Sequence, residues 1–364
     1  MLIGLVINPI AGMGGRVGLK GTDGMEILAE ARRRGATPHA HERAFEALEK
    51  LPLDRIDFLT AGGAMGEEAL ERAGAAYRVV YRPGEATGPR DTRQACSEFE
   101  REGAELVAFV GGDGTARDVM AALDERLPVL GIPSGVKMHS GVFANTPADA
   151  GRLLAEAVTS SLPSKKAEVM DIDEEAFREN RLSASLHGHL LTPYRKGLLQ
   201  GRKSVFVGSD VEEEKDEIGQ YLSEVMEDHV TYLLGPGTTV AAVADHLGVS
   251  KTLLGVDIVR GGLVVSADPP EEEILEAVRG REVIIVVTPI GAQGFILGRG
   301  NQQISPSVVR EVGPENLLVI ATPTKLRETP LLRVDTGDLS LDERLRGFIK
   351  VMTGYARYRM VRVA

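Results

Sequence analysis

The chain has a single cysteine, Cys96, which excludes an intramolecular disulfide and suits a reducing interior. Bases are in deficit, with 42 Lys and Arg against 53 Asp and Glu and a net charge of −11; the pI is near 5.3. Nucleic-acid backbones want a basic face, so nucleic acid is not expected as a partner. A small phosphorylated ligand, which needs only a local site, stays open. No apolar run reaches transmembrane length. The opening stretch Met1 to Pro9 lacks the basic start and long apolar core of a secretory leader and reads as a first strand. A cytoplasmic protein with no membrane partner is the expectation. Low-complexity segments and long linkers are also missing, and 364 residues are too many for one ordinary core, so two domains are expected.

What is present in abundance is glycine, 42 residues of it, placed in a pattern. Short apolar runs rich in β-branched residues alternate with segments of helical spacing, and glycine-rich turns join each strand to its helix. The first run ends at Asn8, the next at "TAGGAMG", another at "VGGDGT" and another at "GIPSGVKMHSG". Strand–helix alternation means βαβ units and a parallel sheet, and in such sheets ligands bind at the carboxyl ends of the strands. Tight βα turns need glycine in any case; several at one sheet edge favour a phosphate-binding rim. From residue 168 to 210 the pattern becomes irregular strands, "AEVMDIDEEAF", "RLSASLHGHLLTP" and "KSVFVG". His187 and His189 share a face there, but no complete metal-ligand set is evident. A charged amphipathic helix follows, and alternation resumes with "VTYLLGPGTTVAAVADHLG". The end, from Ser340, reads as an amphipathic helix and one final strand.

The densest chemistry lies in Gly111-Gly112-Asp113-Gly114-Thr115. Glycines let backbone approach a ligand and expose N–H groups, and the helix beginning there aims its positive end at the same spot. An anion is therefore expected. Asp113 would repel a bare phosphate, so it is read either as the anchor of a magnesium ion bridging phosphates or as the base that takes the proton of an attacking hydroxyl. The alternative is a plain helix cap. In the second half, Gly237, Thr238 and Thr239 of "GPGTT" read as a further strand–turn–helix phosphate loop. The segment Gly298 to Ser305 is an amide cluster suited to a nucleobase, a ribose or an ordinary loop.

Gly-Gly-Asp-Gly-Thr after a buried strand resembles the signature of the NAD kinase and diacylglycerol kinase superfamily. Asn8-Pro9-Ile10-Ala11-Gly12 is similar to the Asn-Pro-x-Ser-Gly loop of the lipid-kinase branch, and "PVLGIPSGVKMHSGVFA" lies where the superfamily has its second glycine loop. The stretches "NPIAGMGGRVGLKGTDG", "TAGGAMGEE" and "GIPSGVKMHSGVFA" together look most like the ATP-NAD kinase-like branch that includes AcoX-type proteins. Two departures stand out: Ala116-Arg117-Asp118 replaces the lipid-kinase x-Asn-Glu, and no copy of the NAD kinase Thr-Pro-Thr-Gly-Ser-Thr stretch is evident.

The resemblance implies an N-terminal Rossmann-like parallel-sheet domain over 1–145, with 341–364 returning to it. The strand–helix alternation that resumes in the second half reads as a second mixed α/β domain over 146–340, expected to bind the acceptor, with the active cleft between the two. The resemblance implies ATP or polyphosphate as donor, Mg²⁺ as cofactor and NAD as acceptor, in a protein free to form a homo-oligomer. Asp113 would be the catalytic residue and metal anchor. The nucleotide-binding set would be Asn8, Pro9, Gly12, Gly14, Gly15, Gly62, Gly63, Gly111, Gly112, Gly114, Thr115, Asp118, Ser134, Gly135, Lys137, His139 and Ser140, with Gly237, Thr238 and Thr239. Kinases of another small hydroxylated metabolite and a non-catalytic nucleotide-binding regulator are the competing readings. A nicotinamide dehydrogenase fits worst, since the first turn lacks Gly-x-Gly-x-x-Gly with the usual downstream acid.

Overall fold

The computed structural model describes residues 1–19, 25–84, 86–135, 138–160, 162–172, 184–195, 198–199 and 209–364. The chain divides into two compact units, one of Met1–Met13 and Gly21–Gly201 and one of Gly14–Lys20 and Arg202–Ala364.

In the first unit the chain runs β1 (Leu2–Ile7), α1 (Met25–Arg33), α2 (Ala40–Leu48), β2 (Asp57–Ala61), α3 (Glu67–Ala73), β3 (Tyr77–Tyr81), α4 (Pro89–Arg101), β4 (Leu106–Gly111), α5 (Asp113–Leu123), β5 (Val129–Pro133) and α6 (Pro147–Thr159). The five strands form one parallel sheet of order β3-β2-β1-β4-β5. Continuous apolar runs suit such strands because helices cover both faces. Ala44, Leu48, Leu70 and Leu153 pack on one face; Cys96, Phe99, Val119 and Leu123 pack on the other. The order reverses between β1 and β4, and that switch point is where doubly wound sheets open a crevice at their carboxyl ends.

The unit continues past residue 145. A hairpin of β6 (Ser164–Ile172) and β7 (Ala184–Pro193) belongs to it because Ala167, Val169 and Leu190 are buried with Phe109 and Phe143, and Gly141 N–H donates to Glu168 O at 2.8 Å. The stretch "KSVFVG" lies outside the described residues. Glu168 stands opposite His189 in the hairpin register, yet no group of three metal-ligating side chains forms among the described residues.

The second unit contains α7 (Ser209–Val225), β8 (Thr231–Leu234), α8 (Thr238–Leu247), β9 (Asp257–Arg260), β10 (Leu263–Ala267), α9 (Glu271–Val278), β11 (Val283–Val287), β12 (Phe295–Leu297), α10 (Pro306–Val312), β13 (Leu317–Ile320), α11 (Pro323–Glu328), β14 (Leu331–Val334), α12 (Leu339–Leu345), β15 (Gly347–Gly354) and β16 (Arg357–Val363). Its nine-stranded mixed sheet has the order β10-β9-β8-β11-β13-β15-β16-β14-β12. Strands β8, β11, β13 and β15 run parallel, so their carboxyl ends share one edge. Helices α7 and α8 bury Ile218, Leu222, Val240 and Val243 on one face; α9 and α10 bury Ile274, Val308 and Val309 on the other.

The chain end corrects two expectations. Helical spacing stops at Leu345, and Phe348 to Val363 forms a hairpin of two strands around Tyr355 and Ala356, with Ala356 at φ +52°. This hairpin joins the second unit's sheet through β13 and β14 and not the first, because Val351, Val361 and Val363 are buried in the second unit's own core.

Candidate functional site

At the switch point the motif Gly111–Thr115 acts as a knot between loops. Strand β4 ends at Gly111, whose carbonyl accepts the N–H groups of Ser134 at 3.0 Å and Gly135 at 3.1 Å. A Cβ on Gly111 would fall 2.3 Å from Thr115 Oγ1, so only glycine lets the helix turn back this tightly. Gly112 is the cap residue of α5, and Asp113 is the first helical residue. Asp113 therefore does not cap its helix. Its carboxylate reaches across to the loop after β5, where Oδ2 accepts His139 N–H at 2.7 Å and Oδ1 accepts Ser140 N–H at 2.9 Å. Thr115 ties the other side: its Oγ1 accepts from Asn8 Nδ2 at 3.0 Å, while Asn8 Oδ1 accepts Ile10 N–H at 3.3 Å.

The first and last loops also meet directly. Gly12 has φ +79°, and a Cβ there would lie 2.0 Å from Ser134 O and 2.7 Å from His39 Nε2. Ser134 Oγ donates to Ala11 O at 3.2 Å. Asn8, Gly12, Gly111, Gly112, Asp113, Thr115, Ser134, Gly135, His139 and Ser140 thus form one rim, and Pro9 and Gly114 lie within its turns. Asp113 is 9% exposed, and each of its oxygens accepts one backbone N–H.

Other expected positions do other work. Gly62 N–H donates to Tyr81 O at 2.8 Å and Gly63 N–H to Glu67 Oε2 at 2.8 Å, so both amides are engaged inside their own turn. Ser140 is fully buried and its hydroxyl accepts Met170 N–H at 3.0 Å. Asp118 sits about 140° round the helix from Asp113, with Arg93 Nε 3.9 Å from its carboxylate. Gly14 and Gly15 belong to the second unit, in a turn closed by Leu19 N–H on Gly14 O and Gly18 N–H on Gly15 O. Lys137 lies outside the described residues, as do Lys20 and Asp23 of the glycine-rich stretch after β1, polar groups expected from the sequence to face the same rim.

In the second unit, Gly237 caps α8 at φ 116° and gives its N–H to Leu253 O at 2.8 Å. Thr238 is exposed and Thr239 buried, and both occupy the first turn, whose N–H groups have no intrahelical partner. The amide cluster after β12 is structural. Asn301 Nδ2 donates to Ile296 O at 2.9 Å and its Oδ1 accepts Gly298 N–H. Gln303 Nε2 donates to Asp268 Oδ1 at 2.9 Å and Pro269 O at 2.7 Å. Arg299 forms a buried pair with Asp335 at 2.9 Å.

Sequence reading missed the basic start of α2. His39 borders Gly12, His41 Nε2 donates to Ala64 O at 2.7 Å, and Arg43 Nε donates to Pro133 O at 3.3 Å. One short stretch thereby sends a basic side chain to the loops after β1, β2 and β5. The available signal was electrostatic: bases in a first helical turn oppose the helix dipole and call for a compensating anion or carbonyl.

The family model for the ATP-NAD kinase N-terminal domain matches residues 3–161, and the model for the ATP-NAD kinase C-terminal domain matches residues 227–363. No curated protein matches the chain. Among solved structures, one described as a diacylglycerol kinase from Bacillus anthracis str. Sterne is 16% identical with a TM-score of 0.24; the alignment covers 47% of this chain and 46% of that one, so the chain spans about half of that protein's length.

Proposed function

The chain belongs to the ATP-NAD kinase family, both of whose domain models it matches in order, and on that premise we propose that it is a kinase that moves the terminal phosphoryl group of ATP to the ribose hydroxyl of NAD. The observation that carries this reading is the rim of the first unit, where three strand-end loops are tied together by Asp113 and Thr115 at the sheet's switch point. Phosphoryl transfer demands mostly positioning and charge stabilisation. The start of α5 supplies a positive helix end, and the basic start of α2 adds His39 and Arg43 at the same edge.

Within this rim Asp113 is the residue that accepts the proton of the attacking hydroxyl. Its carboxylate is held at a fixed angle by His139 N–H and Ser140 N–H, as a positioned base requires. Magnesium fits the donor set in one way. Asp113 is a single carboxylate, and no cluster of three metal-ligating side chains exists among the described residues. One protein carboxylate plus ligand phosphates and water is an ordinary magnesium shell. When bound, the ion neutralises phosphate charge, and Asp113 would hold it. Membership of the AcoX-type branch belongs to this proposal too, on the glycine-rich stretches around Gly12, Gly63 and Ser134.

The test is incubation of the purified protein with MgATP and a panel of hydroxyl acceptors, with the phosphorylated product identified by mass spectrometry. NADP as the main product supports the reading. Transfer to another metabolite alone replaces the acceptor and keeps the kinase, and nucleotide binding without turnover favours a regulator.

A further inference from the structure

The carboxyl edge of the second unit's parallel strands carries a group that the reading above leaves unused. Strand β13 runs into Thr322, whose hydroxyl accepts Lys325 N–H at 3.1 Å and so fixes the start of α11. Lys325 then projects from the first turn of that helix, partly buried, and its ammonium makes no hydrogen bond or ion pair among the described residues. Glu214 of α7 stands close by, but it is spent on Thr324, accepting the N–H at 3.1 Å and the hydroxyl at 3.0 Å. The charged neighbour that bears on Lys325 is another lysine, Lys215 of α7. Lys215 is itself 13% exposed, and its partner Glu212, at 2.6 Å, is 70% exposed.

The Glu214–Thr324 bonds hold the start of α11 against α7, next to Lys215 in sequence, and partly buried ammonium groups on such neighbouring elements repel each other and lose hydration. Such a pair is costly in the empty protein and is relieved by an anion placed between or beside them. On adjacent strands the same edge carries the Gly237–Thr239 turn and Thr288, whose buried hydroxyl has no hydrogen-bond partner among the described residues. The setting is that of a ligand edge in an open α/β sheet.

We propose that Lys325 and Lys215 form an anion-binding pair in the second unit that takes a phosphoryl group of a phosphorylated ligand. The proposal deepens the kinase reading by giving the second unit its own phosphate subsite. Burial and the neighbouring Lys215 push the Lys325 ammonium down to about 8, which agrees with a cation lacking its counter-charge.

Site-resolved acylation of the full chain at pH 8, read by peptide mass spectrometry with and without inorganic pyrophosphate, tests this. Pyrophosphate is expected to slow modification of Lys325 and Lys215 at least fivefold and to leave the exposed Lys50 unchanged. By calorimetry, Lys325→Met is expected to weaken pyrophosphate binding at that site about ten- to a hundredfold, the loss of one charge-assisted contact. Lys325→Arg should stay within about threefold of the parent. Urea unfolding should show that Lys325→Met is no less stable than the parent, since it removes a partly buried cation without a counter-charge. Equal modification of Lys325 with and without pyrophosphate, no modification of it in either case, or unchanged affinity in Lys325→Met overturns the proposal. The kinase reading fails separately: a protein whose Lys325 is protected by pyrophosphate but which transfers no phosphoryl group keeps the subsite and loses the kinase.

Discussion

Replacing Asp113 with alanine is expected to loosen the first unit as well as silence the rim. The carboxylate is buried and accepts two backbone N–H groups, His139 at 2.7 Å and Ser140 at 2.9 Å. A buried donor left without its partner costs about 1–3 kcal/mol, and bonds to a charged acceptor sit at the upper end. Ser140 N is fully buried, whereas His139 N is partly exposed and can recover a water, so the sum is about 2–4 kcal/mol. Against a domain stability of about 5–15 kcal/mol that is a large fraction. The lone cysteine offers a local probe: Cys96 is buried between α4 and α5, and burial pushes its thiol well above the ordinary range, so it reacts only when the first unit opens. The assay is Cys96 labelling across a urea series, parent against Asp113→Ala, with Asp113→Ser as control. Serine is a good cap residue, yet the cap of α5 is Gly112, so serine should not restore the loss. A change below about 0.5 kcal/mol, or full recovery in Asp113→Ser, would refute the reasoning.

Gly12→Ala should cost at least about 1–2 kcal/mol from its left-handed backbone alone and more from the collision with Ser134 O; thermal melts and nucleotide titration should both register it, and a neutral variant would show that the loops after β1 and β5 do not meet as described. Breaking the buried pair Arg299–Asp335 by Asp335→Ala should cost about 3–5 kcal/mol, measured as a shift of the urea midpoint, with a loss under about 1 kcal/mol counting against that packing. Lys325 gives a pH signature: its folded value of about 8 lies below the ordinary lysine value of 10.5, so between those limits the unfolded chain holds the extra proton and stability rises with pH. Subtracting Lys325→Met from the parent should isolate a positive slope of at most about 1.4 kcal/mol per pH unit in that window, and parallel curves for the two proteins would exclude it.

The first unit was legible because its signals are local. Buried strands read as unbroken apolar runs, and each glycine turn falls at a strand end. The partners of Asp113 were not legible, because they lie 26 and 27 residues away and depend on how the loop after β5 folds over α5. The alternative reading of Asp113 as a cap and the observed clamp use the same side chain, and only tertiary geometry separates them. The chain end was misread for a different reason. Phe348 to Met352 can satisfy either a helical or an alternating pattern, and pairing with β13 decides for the strand. The hairpin of β6 and β7 was seen as strands, but nothing local says that Val169 and Leu190 belong to the first unit's core. Lys325 carried no motif at all; its interest comes from Lys215, 110 residues earlier.

The most direct test of the central claim is the formation of NADP from NAD and MgATP by the purified chain, followed with an NADP-specific dehydrogenase. The account predicts steady NADP production that requires magnesium and falls at least about a hundredfold in Asp113→Ala. No NADP above the no-enzyme control from well-folded parent protein, or production undiminished in Asp113→Ala, would contradict it.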